Sequence, residues 1–186
     1  SMAFGLLLTG AFHEDGFADL CDGFGGGWSQ QDILRIMKDS RLGTYGVSGL
    51  CFILLIKWQS LSAIDPKDLF ISLLIAHSLS RAFAISLIVL LPYVQDTSLT
   101  NGISKAKPIA QQWHSLDLCI AWGWALIPLL FVPVTWGLSL LVAGGIALLL
   151  IRAWFHKRLQ GYTGDALGAC QQIHEIIIYL FLVALA

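Results

Sequence analysis

Long apolar runs separated by short polar segments dominate the chain. Runs 47–64 and 69–94 are each about long enough to cross a bilayer, which takes ~20 apolar residues. Runs 116–134 and 137–151 predict an antiparallel hairpin of two more spans, broken at Pro133 and Gly137. Run 166–186 predicts a closing span. The first run, 3–12, is too short to span and predicts the tail of a helix, with Ser1-Met2 reading as one extra residue before a start methionine. The pattern gives an all-α polytopic integral membrane helical bundle of about five membrane helices. No repeat or low-complexity linker interrupts it, so residues 1–186 are expected to form a single domain.

Polar positions inside this pattern narrow it further. Ser29-Gln30-Gln31-Asp32 has the form of a capping box and predicts a short polar helix ending near Lys38. Asp65-Pro66-Lys67-Asp68 predicts a tight turn, and 95–115 a polar loop containing Lys105 and Lys107. Lys57 can snorkel to an interface. Arg81 cannot, because it falls in the middle of run 69–94, where a charge costs at least ~2.5 kcal/mol. It must face protein or water and find an anion, and His77, four residues earlier, shares its helix face.

Composition agrees: 56% of residues are apolar and 12% charged, against about 25% charged in soluble domains. A net charge of −1 gives no electrostatic footprint for a nucleic-acid partner. Cys21, Cys51, Cys119 and Cys170 form no CxxC pair and read as free buried thiols. Cations are unevenly distributed. Arg35, Lys38, Arg41, Lys105, Lys107, Arg152, Lys157 and Arg158 fall in segments on one side, and only Lys57 and Lys67 on the other. Eight against two predicts that the first side is cytoplasmic.

Three polar motifs land on that side. In the first, Glu14, Asp15, Asp19 and Asp22 place four of the twelve acidic residues within nine positions. On a helix Asp15, Asp19 and Asp22 fall within an arc of roughly 60°, with no Lys or Arg four residues away to relieve their repulsion. A hard divalent cation with oxygen ligands would relieve it; the simpler reading is a solvated acidic face. Gly23-Phe24-Gly25-Gly26-Gly27 follows and is expected to break the helix. The second motif, Lys38-Asp39-Ser40-Arg41-Leu42-Gly43-Thr44, suits an anionic ligand or a capped surface loop. In the third, Gly161-Tyr162-Thr163-Gly164-Asp165, the aspartate is a candidate cap for the closing helix, and His174 and Glu175 are expected in that helix's first turns.

His13-Glu14-Asp15-Gly16-Phe17-Ala18-Asp19 with Asp22-Gly23-Phe24-Gly25-Gly26, Met37-Lys38-Asp39-Ser40-Arg41 with Gly43-Thr44-Tyr45-Gly46, Ser80-Arg81, and Gly161-Tyr162-Thr163-Gly164-Asp165 with Leu167-Gly168-Ala169 together resemble the cobalamin synthase (adenosylcobinamide-GDP ribazoletransferase) family. The resemblance covers essentially the whole chain, although N-terminal membrane helices of the family are lacking from it. It implies transfer of the adenosylcobinamide-phosphate group from adenosylcobinamide-GDP to α-ribazole or its 5′-phosphate. The products would be adenosylcobalamin, or its 5′-phosphate, and GMP. It implies Mg²⁺ held by Glu14, Asp15, Asp19 and Asp22. Asp22, Asp39 and Asp165 would be catalytic, and Lys38, Arg41, His77, Arg81 and Thr163 would contact substrate. It also implies a multi-pass protein of a prokaryotic cytoplasmic (inner) membrane with its active site facing the cytoplasm; a homo-oligomer is compatible with the sequence. The competing readings are another Mg²⁺-dependent membrane phosphotransferase of the CDP-alcohol type, a prenyltransferase, which would need a second aspartate cluster, and an ion carrier, which would spread its charges along the bilayer depth.

Overall fold

A computed structural model of the chain describes residues 2–94 and 115–185. Its elements are α1 (Met2–Thr9), α2 (Phe12–Gly26), α3 (Gln30–Met37), α4 (Thr44–Ala63), α5 (Leu69–Leu90), α6 (Ser115–Leu126) with a 3₁₀ turn (Ile127–Phe131), α7 (Val134–Leu159) and α8 (Gly164–Leu185). Lys105 and Lys107 lie outside the described residues. Helices α4, α5, α7 and α8 are long and apolar enough to cross a membrane, and 116–131 forms a shorter apolar helix. The protein is therefore an all-α membrane bundle. Its few backbone hydrogen bonds between segments include Tyr162 N–H to the Pro92 carbonyl (3.0 Å) and Val94 N–H to the Tyr162 carbonyl (2.8 Å), which join the end of α5 to the turn before α8.

Helix α8 is the centre of the bundle, packing mainly on α2 and α5 and also on α4 and α7. Small residues make this possible, since without a strong hydrophobic force between helices in lipid, close backbone approach supplies the attraction. Ala166, Gly168 and Ala169 are buried. A Cβ on Gly16 of α2 would lie 2.8 Å from the Asp165 Cα, and one on Gly168 would lie 3.3 Å from the His13 Cα. Helices α2 and α8 thus run antiparallel in near backbone contact.

Several boundaries differ from expectation. The glycines at 23–26 do not break α2, which continues to Gly26. Gly23 instead admits the Met37 and Ile33 side chains of α3, and the Arg158 guanidinium binds the carbonyls of Phe24 (2.9 Å) and Gly27 (2.8 Å) that the helix end leaves free. Gly137 lies inside α7, which begins after Pro133. Helix α7 also extends past Ile151 to Leu159, so Arg152, Lys157 and Arg158 belong to its last turns, where cations suit the helix dipole. Thr163 rather than Asp165 caps α8, its hydroxyl accepting from Ala166 N–H (3.1 Å). His174 and Glu175 are well inside α8, beyond its first turns. The expected capping box holds: Ser29 Oγ accepts from Asp32 N–H (3.1 Å).

Lys57 does not snorkel. It is buried, and its Nζ lies 2.7 Å from Glu175 Oε1. The pair is held in a network: Gln171 Nε2 donates to Glu175 Oε2 (2.8 Å) and to Ser80 Oγ (3.1 Å), and Tyr179 OH donates to Glu175 Oε1 (3.2 Å). Removing one partner of such a pair leaves an uncompensated charge, at a cost of roughly 3–5 kcal/mol. Lys57→Met should lower the melting temperature in detergent sharply, and adding Glu175→Gln should recover most of the loss. Equal melting temperatures for wild type and Lys57→Met would contradict the pairing.

Candidate active site

One end of the bundle collects the motifs. The C-terminal ends of α2, α5 and α7, the N-terminal ends of α4 and α8, and all of α3 meet there. Contacts that fix the arrangement include Gln30 Nε2 to the Leu159 carbonyl (2.6 Å) and Asp22 to the start of α4. The Gly16 contact sets Asp165 against the α2 face that carries Asp15 and Asp19.

The four aspartates are not equivalent. Asp22 is buried and accepts from Gly43 N–H at Oδ2 (2.7 Å) and Gly46 N–H at Oδ1 (2.8 Å). It therefore caps α4 from another helix, neutralising two of the donors a helix start leaves free. A Cβ on either glycine would strike that carboxylate, so these two glycines make room for the cap. Asp15 is exposed, while Asp19 and Asp165 are half-buried. Burial, followed by the charges of Asp165, Asp15 and Asp22, pushes Asp19 up to about 7. Among the described residues, the charges that act on Asp19 are all carboxylates, so this part of the site is electrostatically incomplete.

The other predicted residues are placed elsewhere. Glu14 points the opposite way from this face, into the bundle, where its Oε1 accepts from Gln172 Nε2 (2.9 Å). Asp39 forms a two-pronged pair with Arg41 (Nε–Oδ1 3.0 Å, Nη2–Oδ2 2.7 Å) and is drawn down to about 2, its hydrogen bonds to Arg41 being the main cause. So strong an acid is a poor proton acceptor at neutral pH. Lys38 is exposed on the same loop. His77 and Arg81 share a face as expected, Arg81 Nη1 donating to the His77 carbonyl (2.9 Å), but they lie with Glu14 deeper in the bundle. Thr163 is occupied as the α8 cap. Sequence reading missed Gln171 and Gln172, two adjacent buried amides of α8.

Among the described residues, no three His, Cys, Asp or Glu side chains already converge as a preassembled metal cage. The donor chemistry nevertheless fits a hard cation: Asp15, Asp19 and Asp165 offer only oxygens, and the rise of Asp19 is what a cation between them would relieve.

Residues 1–183 match the family model described as cobalamin-5-phosphate synthase. The chain is 45% identical to an adenosylcobinamide-GDP ribazoletransferase of Shewanella frigidimarina, over 99% of this chain and 70% of the relative. Two proteins of the same name, from Shewanella oneidensis and Vibrio cholerae, are each 47% identical, over 98% and 99% of this chain and 69% of each relative. No solved structure matches the chain.

Two outcomes follow from this geometry. Asp22→Asn keeps shape but turns one of the two acceptor oxygens into a donor facing one of the N–H groups, so it should destabilise the fold by ~1–3 kcal/mol; unchanged thermal unfolding would contradict the cap. Asp19 binds its proton more tightly folded than unfolded. Between the unfolded value of 3.8 and about 7, the native state thus holds more protons, and stability falls as pH rises. In metal-free buffer the melting temperature should drop across that window, and drop less in Asp19→Asn. Parallel pH profiles for the two proteins would show that Asp19 is not the strained group.

Proposed function

The chain belongs to the cobalamin-5-phosphate synthase family, and on that premise we propose that its transfer reaction runs at the α2–α8 acidic centre. The protein is a ribazoletransferase of cobalamin nucleotide-loop assembly. A ribose hydroxyl of α-ribazole, or of its 5′-phosphate, attacks the phosphorus that carries adenosylcobinamide. A new P–O bond forms to that oxygen, the pyrophosphate P–O bond breaks, and GMP departs with the electron pair. The hydroxyl proton goes to a carboxylate.

Asp165 is the best placed acceptor. Asp39 is held too acidic by Arg41, and Asp22 has both oxygens engaged by backbone amides. Asp165 is half-buried at the start of α8, pressed against Gly16. Asp15 and Asp19 would hold Mg²⁺, whose positive charge would offset the negative charge on the transferred and leaving phosphates. Asp22 positions the α4 start beside them, and Lys38 and Arg41 lie on the adjoining loop, where phosphate oxygens of a substrate would be reached. The single observation that supports this assignment is that burial, and then the carboxylates that alone surround Asp19 among the described residues, raise it to about 7.

The same reading places the protein in a prokaryotic cytoplasmic membrane with this end facing the cytoplasm. Among the described residues, Arg35, Lys38, Arg41, Arg152, Lys157 and Arg158 gather at this end and Lys67 at the other, Lys57 being buried. A cysteine at exposed Gln160 should be labelled only after permeabilisation; labelling from outside intact cells would reverse the orientation.

The chemistry is tested by Asp19→Asn in proteoliposomes. GMP release should fall about 100-fold or more, equivalent to several kcal/mol of lost charge stabilisation. Mg²⁺ should raise the wild-type melting temperature by binding linkage and raise that of the variant far less. Normal transfer together with a full Mg²⁺ shift in Asp19→Asn would defeat the assignment.

A further inference from the structure

Next to the acidic centre, and deeper in the bundle, is a cavity of about 320 Å³. Its apolar wall comes largely from α1, and its polar wall from Glu14, Lys57, Arg81, Gln171, Gln172 and Glu175 on α2, α4, α5 and α8. This polar wall plays no part in the transfer step derived above. Formally it is balanced, two cations against two carboxyl groups. A phosphate would add charge beside Glu14 and Glu175, so the balance favours an uncharged guest.

Among the described residues, two atoms on this wall find no hydrogen-bond partner: Glu14 Oε2 and Gln172 Oε1. Their side chains are 7% and 2% exposed. Both are acceptors, and leaving buried acceptors unmatched is costly enough that native structures rarely do so. On the donor side, Arg81 bonds protein partners through Nη1 only, among the described residues. The complement to such a wall is a neutral group that both donates and accepts. A primary carboxamide does both, offering two N–H donors and one carbonyl.

We propose that this chamber is a binding site for neutral primary carboxamides and that it receives the amide-bearing rim of the corrinoid. The proposal rests on the transfer reading above, because cobinamides carry their peripheral acids as amides. Glu14 and Asp15 are consecutive on α2, so the chamber and the acidic centre lie on two sides of one helix turn, and a corrinoid with its phosphate at the acidic centre would reach round that turn to present its rim to the chamber. Glu14 Oε2 and Gln172 Oε1 accept the amide N–H groups, and the guanidinium of Arg81 donates to the amide oxygen. The apolar α1 wall covers the hydrocarbon edge of the ring.

The test uses cobinamide, which has neither phosphate nor nucleotide, and an analogue with one peripheral amide hydrolysed to the carboxylate. Both are titrated into the protein in lipid nanodiscs and followed by equilibrium dialysis. Wild type should prefer the amide. Glu14→Gln removes one carboxylate while keeping shape, and should reduce that preference about tenfold, the scale of one hydrogen bond to a charged group. The ratio is internal to each protein, so a general loss of fold does not mimic it. Equal affinity of wild type for the two ligands, or an unchanged ratio in Glu14→Gln, would overturn the proposal. The same result would follow if cobinamide failed to bind a preparation that releases GMP. A preparation that shows the preference yet releases no GMP would support the chamber and contradict the transfer reading.

Discussion

The near contact of two backbones, Gly16 of α2 against Asp165 of α8, is the constraint from which the rest of this end of the molecule follows. It requires glycine at 16, and it brings a carboxylate from the far end of the sequence onto a face that already carries two. Partial burial, together with repulsion among these groups, appears in the molecule as the weakened acidity of Asp19. A fold that assembles like charges in this way stores a demand for positive charge. Under the proposed function this arrangement has a use: a cation drawn to it would offset the negative charge of the reacting phosphates.

The surroundings hold that arrangement in place without joining it. Asp22 fixes α4 by accepting from two of its first N–H groups, and Arg158 fixes the end of α2 by donating to two of its last carbonyls. Both solve the same problem, the unpaired groups at a helix end. Deeper in, the Lys57–Glu175 pair and its amide neighbours cross-link α4, α5 and α8. A buried ion pair is tolerated when further hydrogen bonds support it, and here Gln171 and Tyr179 donate to the Glu175 oxygens.

Much of this was legible in the sequence. Apolar run lengths set the helix count, because the bilayer imposes a length. Cation bias sorted the loops, and the spacing of Asp15, Asp19 and Asp22 revealed an acidic face. Failures had a common cause: the role of a residue depended on a partner distant in sequence. Asp22 looks like a ligand until Gly43 and Gly46 approach it, and Lys57 looks like an interfacial lysine until Glu175 is set opposite. The glycines at 23–26 look like a break until α3 needs space beside them. Asp165 looks like a cap because aspartate often is one, but Thr163 reaches the N–H first. Gln171 and Gln172 gave a signal that went unused, two amides in an apolar span.

Under the proposed function, Asp19 of α2 and Asp165 of α8 form one cation-dependent centre although they are far apart in sequence. Mn²⁺ as a magnetic substitute for Mg²⁺, in protein labelled with ¹³C at its aspartate carboxyl carbons, allows each ligand to be read by electron–nuclear double resonance. Wild type should show carboxyl ¹³C coupling to the bound ion, Asp19→Asn should weaken that coupling, and Asp165→Asn should lower the ion affinity. A bound Mn²⁺ without carboxyl coupling, or with coupling and affinity unchanged by both substitutions, would contradict it.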